Sequence, residues 1–109
     1  MKLLPSLKQK KRYVVFEIIS KKVFSFEEIK EEVDKALLTF LGELGVAKSS
    51  PMLIKEKSQN NKFIIKVNHK YTDELKSALI LIKRIKNTPV IICSIITSGT
   101  IKKAGAYLS

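Results

Sequence analysis

Catalysis needs groups that move protons, attack electrophiles or hold a metal, and this 109-residue chain offers few of them. It has one histidine, His69, and one cysteine, Cys93. One of each cannot complete an N/S zinc site within the chain. A single cysteine also forms no intrachain disulfide, which fits a reducing, cytoplasmic setting. A catalytic triad would have to use His69. It lies in NHKYTDE, a polar connection where a solvated histidine is the simpler reading. Between Lys66 and Lys70 it alternatively joins a polyanion-binding edge. The pairs Glu27/Glu31 and Glu28/Glu32 have the spacing of carboxylate dyads. They share the outer face of an amphipathic helix with Lys30 and Lys35, the pattern of a solvated helix surface. Only four glycines occur, spread along the chain, so no Gly-rich loop cradles a phosphate. Cys93, within the apolar run VIICSII, reads as an inert core thiol.

Cations are the chemistry this sequence does carry. The stretch KQKKRYVVFEI (8–18) places Lys8, Lys10, Lys11 and Arg12 in five positions, directly before an apolar run. The net charge is +11, and it is unevenly spread. Six of the ten acids are Glu27, Glu28, Glu31, Glu32, Asp34 and Glu43, offset there only by Lys30 and Lys35. That segment carries −4, and the remainder, with 19 basic against 4 acidic residues, carries +15. Such a field draws polyanions to one side of a molecule, and nucleic acid is the commonest such partner. No basic amphipathic helix points to a membrane surface. MKLLPSLKQKKR, its apolar part cut by Pro5 and Lys8, does not read as a signal peptide, and no apolar run nears the ~18 residues of a membrane span.

The elements that must position these cations follow from periodicity. With hydrophobic residues at 45% and charged residues at 28%, the composition is that of a globular chain. YVVFEII (13–19) alternates as a strand with Val14, Phe16 and Ile18 toward a core. Ser25-Phe26-Glu27-Glu28 matches a capping box. Ile29, Val33, Ala36, Leu37, Phe40, Leu41 and Leu44 follow at helical spacing, and Gly45 is placed to end the helix. Met52 to Lys57 and Lys62 to Asn68 read as strands joined through the polar turn Ser58-Gln59-Asn60-Asn61. Thr72 is an expected N-cap, followed by Asp73 and Glu74 where the helix dipole favours anions. Leu75, Leu79, Ile82 and Ile85 give that helix its stripe until Asn87-Thr88-Pro89 breaks it. Val90 to Ile96 is the fourth strand, and Ser98-Gly99-Thr100 turns toward Lys102 and Lys103.

The order is βαββαβ, an α+β fold of the ferredoxin-like or RRM-like plan, with an antiparallel four-stranded sheet and helices on one face. It implies one domain over 1–109: a basic segment (1–12), a core (13–97), and a basic turn with a short C-terminal stretch (98–109). Tyr13, Val15 and Ile64, with Val90, Ile92 and Ile96 of the apolar fourth strand, are expected to face away from the helices. An open apolar sheet face is a protein-partner contact; the alternative is that the C-terminal stretch folds over it. The third strand, KFIIKVN, lacks the glycine and spaced aromatics with which RRM domains stack single-stranded bases. Phosphate and shape recognition of a structured RNA by lysines is therefore expected.

Three stretches in series, LPSLKQKKRYVVFEI (4–18), FLGELGVAKSSPMLI (40–54) and SGTIKK (98–103), resemble the archaeal and eukaryotic family of ribonuclease P protein component 2. The resemblance runs from about Lys2 to Lys103. It implies an RRM-like fold and a non-catalytic subunit of the ribonucleoprotein that removes the 5′ leader of precursor tRNA. The RNA of that particle performs the hydrolysis and uses Mg2+, so no cofactor is expected on the protein. It also implies pairing with component 3, a TIM-barrel-like protein, in a two-plus-two assembly, and support for the catalytic domain of the RNA. One departure is AGAYLS after Lys103, where an extended basic tail would be looked for. RNA contact is then expected at Lys8, Lys10, Lys11 and Arg12, at Lys66, His69 and Lys70, and at Ser98, Gly99, Thr100, Lys102 and Lys103. The competing readings are another basic structured-RNA-binding protein of this fold, such as a ribosomal protein, and a ferredoxin-like ligand-binding module or metabolic enzyme. Fold alone does not exclude the last; the basic excess argues against it.

Overall fold

A computed structural model describes residues 10–55 and 61–107. Lys8 and most of the turn after Met52–Lys57 lie outside them. Strand β1 (Lys11–Ile19) leads to helix α1 (Phe26–Ser49), then β2 (Met52–Leu53) and β3 (Lys62–Asn68). A single 3-10 turn (His69–Tyr71) enters α2 (Thr72–Ile80). The short strands β4 (Arg84–Ile85) and β5 (Thr88–Pro89) precede β6 (Ile91–Ser98) and α3 (Ile101–Gly105). The main sheet is antiparallel with order β2-β3-β1-β6, the βαββαβ arrangement expected.

The alternation of β1 sorts side chains between two layers. Val14, Phe16 and Ile18 pack with Phe63, Ile65 and Val67 against Ile29, Val33 and Leu37 of α1 and Leu75 and Leu79 of α2. At the centre the Phe16 and Phe63 rings stack with centroids 5.4 Å apart. The capping box at α1 forms as read: Glu28 N–H donates to Ser25 Oγ at 3.2 Å, and Ser25 N–H donates to Glu28 Oε1 at 3.0 Å.

Several element boundaries differ from expectation. Helix α1 does not stop at Gly45 but breaks at Gly42, whose φ of 74° and ψ of 172° are non-helical, and then resumes to Ser49. The break changes the buried face. An unbroken helix would bury Leu44, seven residues after Leu37; instead Leu44 is 68% exposed and Ser49 is buried. Helix α2 stops at Ile80, not Ile85, and Tyr71 rather than Thr72 holds its N-cap position. Ile82 and Ile85 still reach the core, Ile82 from the link after α2 and Ile85 from a hairpin. Its two-residue loop, Lys86 (φ 49°) and Asn87 (φ 68°), has the paired positive φ of a type I′ turn. Strand β2 keeps only two residues.

The expected open face is also corrected. Val90 and Ile92 lie in the main core with the helices. Val15 and Ile64 do face away from the helices, but they are fully buried beneath Ala104 of α3, with Tyr13, Ile54 and Ile96 packed around them. The C-terminal stretch therefore covers the middle of that face. Among the described residues, the apolar side chains left exposed on the main sheet are Met52 of β2, Ile19 and Ile91, which pair across β1 and β6, and Ile95, which is left without a partner by a bulge opposite Val15/Phe16.

Candidate nucleic-acid interface

Strand register gathers most of the predicted cations at one end of the sheet. Strand β1 begins at Lys11, two residues earlier than the apolar pattern showed, so Lys11 and Arg12 are built into the ladder. Lys11 lies opposite Asn68, Arg12 opposite Val67, and Tyr13 opposite both Lys66 on β3 and Ser98 on β6. The His69 N–H donates to the Lys10 carbonyl at 2.9 Å, extending the ladder by one rung. The His69 ring places Nδ1 at 3.2 Å from the same carbonyl, a contact that is a hydrogen bond in the tautomer protonated at Nδ1. Asn68 Oδ1 accepts from Lys70 N–H at 3.1 Å, which shapes the turn that carries His69 and Lys70.

The SGTIKK segment completes this end. Ser98 Oγ donates to the Thr100 carbonyl at 3.0 Å and accepts from the Thr100 N–H at 3.2 Å. Its hydroxyl is thus used within the turn, and the residue is buried, so Ser98 shapes the site rather than presenting a donor. Thr100 Oγ1 accepts from Lys103 N–H at 3.3 Å and caps α3, leaving the Lys102 and Lys103 side chains exposed. Gly99 is exposed, and a Cβ built on it would come 3.9 Å from Arg12 Nη1. Arg12, in turn, donates from Nη1 to the Lys11 carbonyl at 3.1 Å. The three separate basic stretches of the sequence therefore meet around Arg12 and Gly99. Tyr13, read from the sequence as part of a protein-partner face, belongs to this end too. Only strand register, which periodicity does not encode, could have shown it.

Ion pairing sets this end apart from the acidic helix, although other cations, among them Lys21, Lys62, Lys76 and Arg84, are likewise without ion pairs among the described residues. Among the described residues, the ion pairs are Lys30–Asp34, Lys35–Glu32, Lys55–Glu27 and Lys86–Glu31, all made by carboxylates of α1. Lys10, Lys11, Arg12, Lys66, Lys70, Lys102 and Lys103 make none. Their charge is left for a partner. At the acidic helix, the hydrogen bond from Lys86 and then its positive charge hold the Glu31 carboxyl below its ordinary value. The Ser25 backbone N–H does the same for Glu28. Among the described residues no three of His, Cys, Asp and Glu gather as a metal site.

The Rpp14/Pop5 family model matches residues 12–109. The chain is 41% identical over 101 residues to ribonuclease P protein component 2 of Thermococcus kodakarensis, covering 91% of this chain and 82% of that protein. It is 34% identical over 100 residues to the protein of the same name from Methanocaldococcus jannaschii, covering 92% and 73%. A chain in the cryo-EM structure of yeast ribonuclease MRP shares the fold, with a TM-score of 0.69 at 14% identity over 86% of this chain and 77% of that one. The family model covers residues 12–109, and these relatives are 41% and 34% identical over 91% and 92% of the chain, so this chain belongs to the Rpp14/Pop5 family.

Proposed function

We propose that this chain is a non-catalytic protein subunit of ribonuclease P that grips the RNA of the particle with the cationic end of its sheet. The observation that carries this reading is the convergence of Lys10, Lys11, Arg12, Lys66, Lys70, Lys102 and Lys103 from three distant segments, none of them ion-paired. Cations held on strands and capped turns lose little conformational freedom when they meet phosphates. The array thus holds a folded RNA in one register. Hydrolysis and the Mg2+ it requires belong to the RNA. The protein partner is component 3, in a two-plus-two assembly, and the exposed Ile19, Met52, Ile91 and Ile95 are apolar residues of the sheet available to it.

Cleavage of a precursor tRNA by the cognate ribonuclease P RNA at limiting Mg2+ tests this. RNA alone, RNA with component 3, and RNA with both proteins are compared. Leader removal that appears or accelerates only with both proteins supports the subunit reading. If folded protein and partner change nothing, and the chain binds that RNA no better than a size-matched control, the reading fails.

A further inference from the structure

We infer that the cleft between the edge strand β6 and α3 seats one unpaired RNA base, stacked on Tyr107. This deepens the RNA-binding reading above and rests on it for the identity of the RNA. The cleft has a volume of about 410 Å³, and Ile96, Gly99, Lys103, Ala106 and Tyr107 are among its walls. Tyr107 is 44% exposed, an aromatic surface left open beside a cation cluster. Lys103 is exposed and unpaired at the same wall, placed for the phosphate of the seated nucleotide. Gly99 contributes no side chain, so a ligand can approach the backbone there. Among the described residues, strand β6 is an outer strand of the sheet and pairs only with β1, so its other edge offers backbone donors and acceptors to a base.

The scaffold explains why the base goes to the margin. RRM-like sheets stack bases on the face away from their helices. Here α3 covers that face at Val15 and Ile64. The same helix carries Lys103 and leads into Tyr107, which restores an aromatic surface at the rim. The cleft is continuous with the phosphate-binding array through Gly99 and Arg12. An RNA whose backbone lies on the array is therefore positioned to turn one base into the cleft. This extends the phosphate-and-shape reading of the sequence to a base contact.

The chain contains no tryptophan, so Tyr107→Trp introduces a single fluorescent reporter in the cleft. The probes are a single-stranded oligoadenylate of about ten nucleotides and a blunt RNA duplex of equal length. Quenching of the introduced indole by the single strand, and not by the duplex, is expected. Tyr107→Ala should weaken single-strand binding about fivefold or more, with an unchanged salt slope, because it removes base stacking and leaves every phosphate neutralised. Tyr107→Phe should bind as the parent does. Lys103→Ala should instead reduce the salt slope by about 0.7. Equal quenching by the duplex, unchanged affinity of Tyr107→Ala, or quenching by component 3 alone would overturn the inference. If quenching by the single strand is seen but the chain fails to prefer ribonuclease P RNA, the base site stands and the subunit reading falls.

Discussion

Asn61 joins separate parts of the chain through one residue. Its Oδ1 accepts from the Phe24 N–H at 2.9 Å, its Nδ2 donates to the Lys22 carbonyl at 2.8 Å, and its own carbonyl accepts from the Ile18 N–H at 2.7 Å. It does this at φ 62°, a left-handed conformation that asparagine tolerates better than most residues. The connection between β1 and α1 thus takes its shape from a side chain nearly forty positions away. Asn61→Ala leaves the buried Phe24 amide without its acceptor. It should cost about 1–3 kcal/mol in urea unfolding. Gly42 presents the complementary case, where the backbone alone decides. A Cβ there would meet nothing within 4 Å, but φ 74° with ψ 172° is a region open essentially to glycine. Gly42→Ala should therefore destabilise by about 1–3 kcal/mol although no clash is created. An unchanged unfolding midpoint would show that α1 closes into a continuous helix without penalty. Neither role is legible in the sequence. Asn61 reads as one residue of a polar turn, and Gly42 as a glycine inside a helical pattern, because both depend on partners or torsions that periodicity does not encode.

Elements were legible where one local pattern sufficed. The alternation of β1 and β3 and the capping box at Ser25 depend on neighbours in the chain, and each forms as expected. The second half of α1 and the end of α2 were not legible. In α1 the break at Gly42 shifts the phase of the buried face, so Leu44 fits the stripe in sequence and faces solvent in space. In α2, Ile82 and Ile85 keep helical spacing from Leu75 and Leu79 but reach the same core from the link after the helix and from a hairpin. That hairpin is tied to α1 by Lys86 Nζ and Glu31 Oε2 at 2.9 Å. The pH dependence of this tie follows from the direction of each shift. Glu31 sits below its ordinary value of 4.5, through the hydrogen bond from Lys86 and then its charge, so its contribution is present above that value and lost as pH falls through the lowered one. Lys86 sits above its ordinary 10.5, chiefly through its hydrogen bond to Glu31, so its contribution is present below that value and lost as pH rises past the raised one. Glu31→Gln should flatten part of the loss of thermal stability below pH 4.5. The part due to Glu28, bonded to the Ser25 amide, should remain. The pair is solvent-exposed, so the effect should be small and shrink in high salt. An identical acid limb in the variant would show that the pair contributes nothing.

The whole molecule is polarised, and fold topology produces that polarity. Strand β1 starts among the unpaired cations, and the chain leaves its far end to begin α1, where the carboxylates lie. Four of those carboxylates, Glu27, Glu31, Glu32 and Asp34, are paired with lysines of α1 itself, the hairpin and Lys55. Seven cations without ion pairs are brought together at the sheet end formed by Lys10–Tyr13, Lys66–Lys70 and Ser98–Lys103. Composition reported the excess, but strand order and register decided that its three parts coincide. A general positive field and a built phosphate site differ in what their removal does. Long-range attraction responds to net charge wherever it sits, whereas counterion release counts the phosphates actually neutralised. Two triple variants with equal loss of charge separate them. Lys10, Lys11 and Arg12→Ala empties the sheet end. Lys21, Lys30 and Lys35→Ala removes the same charge beside the acidic helix. The first should lower the log–log salt slope of ribonuclease P RNA binding by about 0.7 to 0.9 for each phosphate no longer neutralised. The second should leave the slope unchanged and shift affinity only slightly. If both variants lower the slope alike, the charge acts as a diffuse field and the sheet end is not a site. If only the first does, RNA is gripped where the ladder of β1, β3 and β6 brings the cations together, and the order of strands is what makes the binding surface.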